Sequence, residues 1–107
     1  MWEAYGKGNK RAFKSAVNLV GRTMINIVEY RRMAGAKKFR MWSAFKADKE
    51  TGRSRVFVRL EFRTRDLPDV WTIVFIDQLV HRDDADLVLD MVLRCFPKCK
   101  GPEEKHE

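Results

Sequence analysis

Glu61, Asp77, His81, Asp83 and Asp84 are the residues from which a catalytic centre would have to be built. Paired carboxylates hold Mg²⁺ and orient a water for phosphodiester hydrolysis, so this set would make a metal-dependent nuclease. The spacing fits no such motif, and most members have a simpler place: Asp83 and Asp84 open a helix, Glu61 stands among arginines, and His81 lies in a loop. Cys95, Cys99 and His106 offer at most three zinc ligands; Pro97 separates the cysteines and no second Cys pair follows. Cys95 fits as a small core residue, and reduced thiols are the default reading. There is no Gly-rich phosphate loop and no nucleophile beside an evident base. The chain reads as non-enzymatic, with no cofactor and no metal.

The chemistry that remains is electrostatic. Residues 1–65 carry seventeen Lys and Arg against five Asp and Glu (+12), and residues 66–107 carry five against ten (−5), which sums to the net +7 of the 107-residue chain. A polyanion, nucleic acid above all, is the partner class such a split suggests. Cations and aromatics interleave in Lys38, Arg40, Trp42 and Lys46 and again in Arg55, Phe57, Arg59 and Arg63. Lys and Arg release counterions from phosphates, and Trp42 or Phe57 would stack on an unpaired base. The bland alternative is a solubilised exposed strand whose aromatics pack across strands. A further cluster, Lys7, Lys10, Arg11 and Lys14, stands at the start of a helix, where the dipole disfavours cations; phosphate binding is one reason for them, and a solvated helix end is the simpler one. Arg31, Arg32, Lys37 and Lys38 sit at a helix end that already favours them.

These residues need elements to hold them. Phe13, Val17, Val20, Met24 and Ile27 recur at spacings of 4, 3, 4 and 3 and predict a helix over about 10–33, with Gly35 as its stop and Gly21 its one weak interior position. The period then drops to 2. Residues 37–47 predict a strand with Phe39, Met41 and Phe45 on one side and Lys38, Arg40, Trp42 and Lys46 on the other. Asp48-Lys49-Glu50-Thr51-Gly52 reads as a hairpin loop. The next strand sets Val56, Val58, Leu60 and Phe62 against Arg55, Phe57, Arg59, Glu61 and Arg63. Residues 70–80 form a third strand, apolar on both faces as a buried strand would be. A second helix opens at Asp83 as N-cap, with Asp86 reaching back, and stops before Pro97.

The fold class expected is α+β: helix, three-stranded antiparallel meander, helix, both helices covering one sheet face. Residues 1–97 form one domain and 98–107 a polar, mobile tail. Double-stranded-RNA-binding domains share this order, but they carry a Gly-Pro-x-His-type loop where this chain has Asp48 to Gly52, and lysines where it has Asp83-Asp84-Ala85-Asp86. The order alone carries no function. The leading expectation is a basic protein that binds RNA or single-stranded DNA through Lys38, Arg40, Trp42, Lys46, Arg55, Phe57, Arg59 and Arg63, with Lys7, Lys10, Arg11 and Lys14 as a second set. The alternative is a small inhibitor or adaptor of viral or mobile-element type, docking its basic face on an acidic protein surface of a nucleic-acid enzyme. Self-association of an aromatic sheet face into a homodimer is a third. With no apolar run long enough to span a bilayer, an intracellular, soluble protein, cytoplasmic or nuclear, is expected.

Overall fold

A computed structural model describes residues 9–34, 39–48 and 52–99. The chain forms α1 (Lys10–Ala34), β1 (Phe39–Asp48), β2 (Arg53–Phe62), β3 (Thr72–His81), a 3₁₀ turn (Arg82–Asp84) and α2 (Ala85–Cys95). The strands make one antiparallel sheet in the order β1-β2-β3, and both helices lie on the same side of it. This is the α+β architecture that the change of hydrophobic period implies.

Asn9 starts α1. Its Oδ1 accepts the Ala12 backbone N–H at 2.9 Å, which satisfies a donor the helix itself leaves open. The buried side of α1 is Ala12, Ala16, Leu19 and Thr23, with Phe13, Val20, Ile27 and Tyr30 packed partly against the core. The stripe read from the sequence is therefore rotated by about a quarter turn. Val17 and Met24 are exposed, because small residues face the sheet and allow the helix to lie close to it. Tyr30 stacks on Phe62 at a centroid distance of 4.8 Å and anchors the far end.

Val56, Val58, Leu60 and Phe62 of β2 face the helices and are buried, as the alternation implies. β1 departs from the simple pattern. Its pairing runs Phe39 with Phe62 and Met41 with Leu60, then slips so that Ser43 meets Arg59, leaving Trp42 as the extra residue of a bulge. A one-residue slip sends every later side chain to the other face. Ala44 thus enters the core, Phe45 joins the open face, and Lys46 leaves it. β3 is an edge strand and not the buried one expected: Ile76 and Val80 are buried on the helix side, while Ile73, Phe75 and Leu79 are exposed on the other.

The entry to α2 also differs. Asp83 is not its N-cap; the His81 imidazole Nδ1 accepts the Asp83 backbone N–H at 3.1 Å and closes the 3₁₀ turn. Asp84 holds the N-cap position, yet its carboxylate makes no capping bond. α2 buries Ala85, Val88, Met91 and Val92, and Phe96 and Cys99 continue the same core, so Cys99 of the expected tail is a core residue. Gly52 adopts φ +81, the left-handed region that the end of this hairpin requires. Gly35, Lys49 to Thr51 and the tail from Lys100 onward lie outside the described residues.

Candidate docking face on the open side of the sheet

Among the described residues no chain segment covers the outer sheet face. Phe45 from β1, Phe57 from β2 and Phe75 from β3 meet there in a row across the strands. Phe45 and Phe57 stack with centroids 5.0 Å apart, and the Phe75 ring stands nearly perpendicular to both, at 6.3 and 6.2 Å. Such contacts add about 1 kcal/mol each beyond area burial, so the three rings hold one another. Phe75 remains 53% exposed, with Ile73 and Leu79 exposed on either side along β3.

The arginine row of β2 flanks this cluster, as expected, but it is matched within the face. Arg55 is paired with Asp77 of the neighbouring strand at 2.7 Å, and Arg59 with Glu61 at 2.8 Å. Glu61 is only 4% exposed, so this pair is held largely out of water within the face. Arg63 lies over the Trp71 ring, 4.8 Å from its centroid, and donates to the Pro68 carbonyl oxygen at 3.1 Å. Arg53, at the end of the strand, has no carboxylate partner among the described residues.

Two of the expected site residues belong elsewhere. Lys46 projects from the helix side, where it pairs with Asp86 of α2, because the bulge at Trp42 reverses its face. Arg11 is a structural residue: its Nε donates to Asp84 Oδ2 at 2.7 Å and its guanidinium also reaches Oδ1 at 3.2 Å. Asn9 adds a bond to Oδ1 at 2.8 Å while its own oxygen caps α1. The carboxylate at 1% exposure thus ties the start of α1 to the start of α2. Hydrogen bonding from Arg11 holds Asp84 below the usual carboxylate range and raises the guanidinium in turn. That commitment explains why Asp84 caps nothing.

Lys10 and Lys14 are exposed on α1 and line a shallow depression with Phe13 and Val17. Arg40 lies opposite Glu61 in the β1–β2 ladder and Trp42 at the bulge; their side chains, like Lys7 and Lys38, are outside the described residues. Phe45, Phe75, Asp77 and Glu61 complete the face. Phe75 and Asp77 were legible from strand parity alone, whereas Phe45 was hidden by the bulge.

The nuclease set does not assemble. Glu61, Asp77 and Asp84 each pair with a different arginine, and no group of three or more His, Cys, Asp or Glu among the described residues is placed to hold a metal ion. Cys95 and Cys99 are free thiols, and burial pushes Cys95 up, away from thiolate chemistry. No described helix is long and apolar enough to cross a membrane. Comparison with protein-family models, with curated proteins and with solved structures finds no match.

Proposed function

We propose that the protein is a non-enzymatic docking module, an inhibitor or adaptor that seats a larger protein on its open sheet face. One observation carries this reading: Phe45, Phe57 and Phe75 form an apolar cluster on the open face, Phe75 exposed and the other two half-buried, whose nearest arginines, Arg55 and Arg59, are already matched by Asp77 and Glu61. A partner presenting an apolar patch gains the burial of Phe75, Ile73 and Leu79, at about 25 cal/mol per Å². Acidic groups at its border suit Arg53 and Arg63. A phosphate backbone gains less here, because it must displace Asp77 or Glu61 to reach Arg55 or Arg59.

A photo-crosslinking amino acid placed at position 75, with one at Asp69 in the exposed loop before β3 as control, tests this reading. The expected result is a nuclease-resistant adduct with one protein species from position 75 and none from position 69. Adducts to RNA or DNA from position 75, or equal protein labelling from both positions, would contradict it. The second reading, binding of single-stranded RNA or DNA, is favoured by the exposed ring of Phe75, on which a base could stack.

A further inference from the structure

Gly21 lies in the interior of α1, where glycine costs about 1 kcal/mol against alanine. A Cβ built at this position meets nothing within 4 Å, so no packing among the described residues requires the glycine. Around it on the helix surface stand Val17, Met24, Ile25 and Val28, which are 47, 55, 68 and 59% exposed. At 3.6 residues per turn these positions share the side of α1 turned away from the buried Ala12, Ala16, Leu19 and Thr23. Lys10 and Lys14 border the stripe at one end and Arg32 at the other, and none of the three has a carboxylate partner among the described residues. Glu29 stands to one side, about a quarter turn away.

We propose that this stripe is a second docking surface, occupied by an amphipathic helix of a partner protein whose apolar face is flanked by carboxylates at both ends. Charge complementarity selects the occupant. A second copy of the chain would set Lys10 and Lys14 against Arg32 in an antiparallel pairing, and like against like in a parallel one. Gly21 selects a helix: a position without a side chain at the centre of the stripe lets a partner backbone approach to the close end of the 8–10 Å range of packed helices. An anionic membrane surface, the other acceptor for a basic apolar helix, gains nothing from such a notch. Because α1 lies on the covered side of the sheet, this surface points away from the Phe45–Phe57–Phe75 cluster. Two partners can therefore be held at once.

The test uses a labelled synthetic peptide of about 20 residues, enough for five turns, with leucines on one helical face and glutamates at both ends. The same peptide with lysines replacing the glutamates, and vesicles of phosphatidylcholine and phosphatidylglycerol, serve as comparators. The glutamate peptide is expected to bind and to shift the backbone amide resonances of residues 17–28, and the lysine peptide is not. Gly21→Leu should weaken binding by about tenfold or more while the thermal midpoint stays or rises, since a Cβ at this position meets nothing within 4 Å and leucine is the better helix former. That pairing separates lost binding from lost folding. No binding of the glutamate peptide, equal binding of the lysine peptide, or an undiminished affinity of Gly21→Leu would each overturn the proposal. So would vesicle binding, or a dimer on sizing, that Met24→Glu abolishes.

Discussion

The open sheet face and the outward stripe of α1 are both apolar and both exposed, yet their charges are handled in opposite ways. On the sheet, Arg55 and Arg59 are matched by Asp77 and Glu61, and the aromatic rings lean on one another. On α1, Val17, Met24, Ile25 and Val28 touch little, and Lys10, Lys14 and Arg32 have no carboxylate partner among the described residues. The first surface is thus partly a structural element, and the second contributes little to the fold. A basic residue in a sequence marks a ligand surface only where the fold leaves it unmatched.

The largest expected effect separates the two surfaces directly. Phe57→Ala removes the central ring of a cluster and should cost about 3 kcal/mol in a denaturant titration, whereas Val28→Ala should stay within about 0.5 kcal/mol. Equal losses at both would erase the distinction between a self-supporting face and an idle one.

Next comes the division within the cations of α1. Asp84→Ala removes a buried carboxylate that accepts from Arg11 and Asn9, and should cost about 2 kcal/mol; the exposed Arg11 side chain keeps the loss below that of a fully buried pair. The pH dependence follows from the lowered folded-state value of Asp84. Its contribution is present above the unfolded value of about pH 4 and is lost as the pH falls through the folded one. Thermal melts from neutral to strongly acid pH should show a shallower acid limb in Asp84→Ala than in the parent. Lys14→Ala should leave both stability and that limb unchanged.

How far the sequence reaches is visible in the same residues. The change from a 3.6 to a 2.0 period placed all the main elements, and the alternation of Val56, Val58, Leu60 and Phe62 identified the covered side of β2. The site was less legible. Periodicity cannot register one extra residue, so the bulge at Trp42 exchanged the sides of Phe45 and Lys46. Nor does it weigh small residues as core, although Ala12, Ala16 and Thr23 are what α1 buries. Arg11 with Asp84, and Arg55 with Asp77, are separated by 73 and 22 residues, so their pairing appears only once the strands and helices are assembled.

A smaller effect sharpens the sheet side of the comparison. Arg55→Glu sets two carboxylates together across β2 and β3 and should cost about 1 kcal/mol, and adding Asp77→Arg should recover most of it. Failure of the double change to recover stability would mean that Arg55 is held by something other than Asp77.

The most direct test of the open face is a fluorescence-polarisation titration of labelled single-stranded RNA and DNA at several salt concentrations, with the parent and with Arg55→Gln/Arg59→Gln. Matched arginines neutralise no phosphate, so any binding seen should keep the same dependence on salt in the double variant, the log–log slope changing by less than about one unit. A slope that falls by about two units on removing Arg55 and Arg59, together with lost affinity, would contradict the matched-charge face and make it a nucleic-acid surface.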